Sequence, residues 1–315
     1  MTDTVKIRIY RTELEDDYQN LLEQRLGISD ITRKKNGLMV FMWEVGNMKI
    51  RLDERALWIE GSLTKYSVGD NLKSADKEQL KAAIDKLGDI LGVDLYKGVV
   101  TRLDIAANIR TMYPVKEYYP FLINLSRLNR NELHNGLSFG NTLRYVSFYD
   151  KIKEMKRKKE VEVDDAFVNQ HILRYECKYT AVGLAILLKV KNPTLQYVFN
   201  RYNDILLHWK NTFDSIDKGR QVCEPTSEMF SVRGGLETYF AIKGIISDGG
   251  LKKVLDMIDI AKGRKYFDRY PNQSSNMKSR LKKIMASTLY FQNSKLVEEL
   301  EAKVTMIYQY ALARC

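Results

Sequence analysis

The apolar residues of this chain keep two different periods, one on each side of residue 181. Before it they recur at every second position in short segments separated by Gly, Asn and Asp; after it they recur at every third or fourth. A two-residue period alternates side chains between the faces of a strand, and a 3.6-residue period gathers them on one stripe of a helix. Strands are expected over Lys6–Tyr10, Leu38–Trp43, Lys49–Leu52, Leu57–Leu63, Val99–Ile109, Leu143–Tyr149 and His171–Thr180, with a tight turn at Val45-Gly46-Asn47. Two helices interrupt them. Ser74–Leu91 puts Leu80, Ala83, Ile84, Leu87 and Leu91 on one face, with Ser74 as N-cap and Gly92 as stop. Pro114 is expected to open another, reaching about Leu128. Later helices are expected over about 195–213, 235–246, 249–260, 275–292 and 293–313, with breaks at Pro193, Pro225 and Gly249-Gly250. The fold class is therefore α+β: a mostly antiparallel sheet domain over residues 1–185, then an all-helical C-terminal domain over residues 186–315.

Charge narrows the partners. The chain carries 51 Lys+Arg against 40 Asp+Glu, a net charge of +11, and a basic surface attracts polyanions. Its 19 Tyr, 11 Phe and 3 Trp interleave with those cations, which suits single strands whose bases stack while their phosphates pair. No apolar run reaches the ~20 residues of a membrane span, and Met1–Arg8 has no apolar signal core. Cys177, Cys223 and Cys315 are too scattered for a disulfide framework or a C-x-x-C metal site, so a reducing cytoplasm is expected. No G-x-x-x-x-G-K-[ST] occurs, so any unwinding is left to a separate helicase.

Four of the strand segments place a chemically capable residue opposite their apolar face. Glu60 opposes Leu57 and Ile59; Asp104 joins Arg102 opposite Leu103 and Ile105; Tyr149 joins Tyr145 and Ser147 opposite Val146 and Phe148; Glu176 joins Arg174 opposite Tyr175 and Cys177. In one sheet, Glu60, Asp104, Tyr149 and Glu176 line a common polar face. Three neighbouring carboxylates repel unless a cation joins them, and a hard ion with oxygen ligands, Mg²⁺ or Mn²⁺, is the expected answer. A tyrosine beside such an ion suits nucleophilic attack on phosphorus. Polar residues on a wet sheet face are also ordinary, and composition does not single out Tyr149 among 19 tyrosines.

At these residues the sequence resembles the phage and plasmid replication initiators of the filamentous-phage gene II/X type, and also initiators of the Rep-trans type. Thr101-Arg102-Leu103-Asp104-Ile105-Ala106 is similar to that family's Arg-x-Asp strand. Ser147-Phe148-Tyr149-Asp150-Lys151-Ile152-Lys153-Glu154 resembles its Tyr-x-Lys-x-x-Glu segment, and Leu173-Arg174-Tyr175-Glu176 its later Arg-x-Glu strand. Trp58-Ile59-Glu60-Gly61-Ser62 is a weaker match. The resemblance covers about residues 56–180. It implies an HUH-like, ferredoxin-like nickase core that cuts one strand at a replication origin, keeps the 5′-phosphate on Tyr149 and frees a 3′-hydroxyl to prime synthesis. The wider class uses a His-x-His metal pair. None exists here, since His134, His171 and His208 are isolated, so Glu60, Asp104 and Glu176 would have to replace it.

Lys151 follows Tyr149 by two residues and shares its face if the strand continues, where it would stabilise the phenolate or the transition state; in a helix it would point elsewhere. Arg102 and Arg174 are candidate phosphate grips or partners of the adjacent acids. Lys156 and Arg157, in a basic run, and Arg33, Lys34 and Lys35, in a basic turn, are candidate contacts to single-stranded or hairpin origin DNA. Tyr145 lies four strand residues, roughly 13 Å, from Tyr149, too far to attack the same phosphate. The alternative function is a non-enzymatic origin-binding or regulatory protein on the same scaffold, which needs the basic surface but not the acid–tyrosine set.

Overall fold

The computed structural model describes residues 1–33, 37, 39–70, 72, 75–158, 170–248 and 250–314. These form two compact units, one of Met1–Lys218 with Glu299–Cys315 and one of Gly219–Glu298. The units therefore divide later than the change of period at residue 181, because the first helices after it cover the sheet.

The strands of the first unit are β1 Thr2–Tyr10, β2 Asp30–Arg33, β3 Met39–Val45, β4 Met48–Leu52, β5 Ala56–Ser62, β6 Val99–Thr111, β7 Leu122–Leu125, β8 Asn129–Leu133, β9 Gly136–Gly140, β10 Arg144–Asp150 and β11 His171–Thr180. Ten of them form one antiparallel sheet in the order β2-β3-β4-β5-β1-β6-β11-β10-β9-β8, while β7 pairs apart from it with Ile216–Lys218. The turn expected at Val45-Gly46-Asn47 joins β3 to β4, with Val45 paired to Met48 and Gly46 at φ +61°, a conformation glycine adopts without a Cβ clash.

The helices of this unit are α1 Tyr18–Leu26, α2 Leu63–Val68, α3 Lys77–Leu91, α4 Lys151–Lys158, α5 Ala181–Leu188, α6 Leu195–Asn200 and α7 Tyr202–Asp214, with Lys295–Leu312 returning from the second unit. α3 buries the expected apolar stripe and stops at Gly92, but its N-cap is Asp76, whose side chain accepts from the Gln79 amide while Gln79 reaches back; Ser74 lies outside the described residues. The helix expected from Pro114 does not form. Val115–Glu117 and Tyr119–Phe121 are single 3-10 turns, and β7, β8 and β9 follow. Val115, Tyr118, Leu122 and Leu125 are buried at helical spacing, but Pro120 lies among them, and an interior proline lacks the N–H and clashes with the preceding turn.

The sheet's apolar face is covered by helices. Phe148 stacks on Tyr175 at 4.9 Å, Tyr175 packs on Trp209 at 4.6 Å, and the Tyr175 hydroxyl donates to the Trp209 carbonyl at 2.9 Å. All three side chains are fully buried, and truncating such an aromatic to alanine costs about 3–5 kcal/mol. The second unit packs helices 227–231, 235–247 and 273–286 around Met229, Tyr239, Ile242 and Tyr290, with helix 250–263 joining the last two in sequence. It is not all-helical, since Arg220–Val222 pairs with Phe291–Asn293. No helix among the described residues is long and apolar enough to cross a membrane.

Candidate active site

Cross-strand register decides which residues meet. Across β10, β11 and β6, Tyr149 pairs with Arg174 and Arg174 with Asn108; one step along, Ser147 pairs with Glu176 and Glu176 with Ala106; further on, Lys178 pairs with Asp104. Across β5, β1 and β6, Glu60 pairs with Lys6 and Lys6 with Arg102. Directly opposed residues share a face, so Glu60, Arg102, Asp104, Arg174, Glu176, Tyr145 and Tyr149 all stand on the face opposite the helices.

Tyr149 is half-buried and donates its hydroxyl to Glu176 Oε2 at 3.1 Å. Burial, and then the charge of Glu176, push the phenol far above its ordinary range, so the resting Tyr149 is a neutral phenol. Its backbone lies opposite Gly136, where a Cβ would sit 2.6 Å from the Phe148 carbonyl oxygen and 3.1 Å from Tyr149 Cβ. Glycine there lets β9 approach close behind the nucleophile candidate.

Arg174 is 3% exposed. Its Nε lies 3.4 Å from Glu176 Oε2, one terminal nitrogen donates to Asn108 Oδ1 at 3.0 Å, and the other meets Asp3 Oδ2 at 2.6 Å. Asp3 also accepts from Ser62 Oγ at 2.8 Å. Burial raises the Asp3 carboxyl, but Arg174 and the Ser62 bond outweigh it and hold the group below its usual value. The two-residue period would put Asp3 with Val5 on the apolar side. A register shift between Thr2 and Val5 turns it to the polar face, as β-bulges do. The only sequence signal is a polar Thr2-Asp3-Thr4 ahead of the alternation.

The three expected metal ligands stand in different partnerships. Arg102 grips Asp104 with two nitrogens, Nε at 3.0 Å from Oδ1, and reaches Glu60 Oε1 at 3.2 Å. Glu60 also pairs with Lys6 at 2.8 Å; burial raises its carboxyl, but Lys6 and Arg102 hold it below its usual range. Asp104 is 1% exposed, and burial, opposed by the Arg102 bond and reinforced by the charge of Glu176, pushes it up to about 6. Among the described residues no three His, Cys, Asp or Glu side chains are arranged to hold a metal ion. Asp104 and Glu176 lie near enough for the charge of one to raise the other, but both Asp104 oxygens are taken by Arg102.

The strand ends at Asp150, so Lys151 takes the helical alternative: it opens α4, is 3% exposed and pairs with Glu154 at 2.7 Å, while its charge also helps hold Asp3 down. Lys156 and Arg157 lie exposed on α4, whose inner face is Ile152 and Met155. Arg33 is exposed at the end of β2; Lys34 and Lys35 lie outside the described residues. Tyr145 packs over Gly140, with Lys178 Nζ 5.8 Å from its ring centre. His208 faces the covered side, 3.0 Å from the Tyr179 hydroxyl.

Comparison with known proteins places residues 1–184 in a family of phage replication-associated proteins, defined by the N-terminal region of the gene II protein. No curated protein matches the chain.

Proposed function

The chain belongs to the phage replication-associated proteins of the gene II type, as its resemblance to those initiators implied, and we propose that it is a nicking and joining enzyme acting on single-stranded or hairpin DNA at a replication origin. The single observation that carries this reading is the hydrogen bond from the Tyr149 phenol to Glu176, on the polar face of the sheet and beside the buried Arg174. Tyr118 makes the same kind of bond to Glu299, so it is the place of the Tyr149 pair, on the polar sheet face beside Arg174, that supports the reading.

Glu176 is the general base. It takes the phenol proton as the Tyr149 oxygen attacks the scissile phosphorus; the bond from phosphorus to the 3′-oxygen breaks, and that oxygen takes up a proton and leaves as a 3′-hydroxyl. The 5′-phosphate stays on Tyr149 as a phosphodiester of similar energy, so attack by a 3′-hydroxyl reverses the step and rejoins a strand. Arg174, committed to Asp3, Asn108 and Glu176, positions the base. Arg102, more exposed than Arg174, would meet the phosphate by giving up its bond to Glu60. Asp104 and Glu176 would hold Mg²⁺ or Mn²⁺, which when bound neutralises charge on the phosphoryl oxygens. A separate helicase would open the duplex.

The test incubates the chain with labelled origin oligonucleotides and Mn²⁺ and resolves covalent adducts on denaturing gels. An adduct is expected, absent with Tyr149→Phe and suppressed by excess chelator. Nicking that survives Tyr149→Phe eliminates Tyr149 as nucleophile; nicking undiminished by chelator removes the metal from the reading.

A further inference from the structure

A second cluster lies on the same sheet face, in the row where Arg51 of β4, Trp58 of β5 and Arg8 of β1 stand directly opposite one another. The Trp58 ring has Arg51 Cζ 5.0 Å, Lys6 Nζ 5.5 Å and Arg8 Cζ 5.6 Å from its centre. Each member of the row also buries a donor without an acceptor: Arg8 Nε, Arg51 Nε and Trp58 Nε1. Buried polar groups are ordinarily satisfied, and an orphaned donor costs about 1–3 kcal/mol. A half-buried indole with three cations around its ring, on an otherwise polar sheet face, marks a place suited to a flat ring that carries negative charge. An open cleft of about 640 Å³ reaches the Arg51–Trp58 end of the row, lined by Lys6, Lys49, Arg51 and Trp58 and, further out, by Asp30, Glu44 and Glu60.

We propose that the Arg51–Trp58–Arg8 row is a nucleotide subsite for single-stranded DNA, in which the indole stacks a base while Lys6, Arg8 and Arg51 supply the positive charge that its phosphate meets. Stacking on an aromatic ring beside cations is how single strands are held without sequence readout. From the Tyr149 row to this one are four strand steps and nine residues along β6, about 35 Å. The subsite therefore holds DNA several nucleotides from the scissile phosphate, on the same face, and its occupant is the strand that Tyr149 cuts. It rests on the reading of the chain as one that handles single strands.

The test uses the full chain carrying Tyr149→Phe, so that no cleavage intervenes, titrated with an oligothymidylate of about 16 nucleotides. Of the three tryptophans, Trp209 is 0% exposed, Trp43 is 5% exposed but lines the same cleft, and Trp58 is half-buried, so the part of the quenching that Trp58→Leu removes reports on Trp58. Trp58→Leu is expected to remove most of the quenching and weaken binding about tenfold, within the range for loss of one stacked base. Arg8→Gln and Arg51→Gln, which leave the indole in place, are each expected to lower the salt dependence of binding by about one ion. A Trp58→Leu chain that melts like its parent and binds as tightly overturns the subsite. Should that variant not fold, unchanged salt slopes in both arginine variants overturn it. Trp58-dependent binding by a chain that forms no adduct at any origin sequence, when Tyr149 is restored, upholds the subsite and refutes the nickase; adduct formation with Trp58-independent binding does the reverse.

Discussion

Replacing Glu176 with glutamine probes the site most directly. Glu176 does three things at once: it accepts the Tyr149 hydroxyl at 3.1 Å, it lies 3.4 Å from Arg174 Nε, and its charge raises Asp104. Glutamine keeps an acceptor oxygen for both bonds and removes the charge, the basicity and a proposed cation ligand, so the rates are compared at saturating Mn²⁺. Arg174 keeps Asp3 at 2.6 Å and Asn108 at 3.0 Å, so the buried guanidinium is not stranded and the fold should hold. The phenol proton then has no base to receive it. A positioned general base contributes about 10²–10⁴-fold, and adduct formation should slow by that factor, about 3–5 kcal/mol in the barrier. The Tyr149 phenol itself should become easier to ionise, because the second largest cause of its elevation is gone; part of the lost rate should therefore return at high pH, more steeply than in the parent. Single-turnover adduct formation on a labelled origin oligonucleotide between about pH 6 and 10 measures both effects. A Glu176→Gln chain within threefold of the parent across that range refutes Glu176 as base, and with it the reading of the Tyr149 hydrogen bond.

Asp3→Asn should be far more disruptive to stability than the loss of any surface contact, because it leaves the buried Arg174 without its closest carboxylate; about 3–5 kcal/mol is expected from thermal or urea unfolding, and a loss under 1 kcal/mol would show that the pair is not the anchor. The pH dependence of stability carries opposite signs at two carboxylates. Asp104 rises from 3.8 to about 6 on folding, so the native state binds its proton more tightly: its contribution is complete below 3.8 and is lost as pH rises through 6, by about 3 kcal/mol. Asp3, held below its usual value, contributes above that value and loses it as pH falls. The difference in unfolding free energy between parent and Asp104→Asn should therefore slope between about pH 4 and 6.5, and a flat difference removes the assignment.

Much of the sheet could be read from the chain. Alternation over His171–Thr180, Lys49–Leu52 and Val99–Ile109 marks strands because a half-buried strand must place every second side chain inside. The same rule sent Asp104, Tyr149 and Glu176 to one face before any pairing was known. The helix after Pro114 failed for a local reason that was present in the sequence, Pro120, while β8 and β9 carry little alternation: Gly136 and Gly140 serve close approach, and exposed Asn129 and Asn131 need no apolar partner.

What the sequence determined by itself is the set of chemical groups and the face each takes, since both follow from residue identity and a two-residue period. How those groups pair is set by the packing of strands distant in the chain. Register set Glu176, and neither Asp104 nor Glu60, beneath the Tyr149 hydroxyl. A bulge in β1 turned Asp3 onto Arg174. The end of β10 made Lys151 a helical residue bound to Glu154. Charge interactions depend on distance between strands far apart in the chain, and no local pattern encodes that distance.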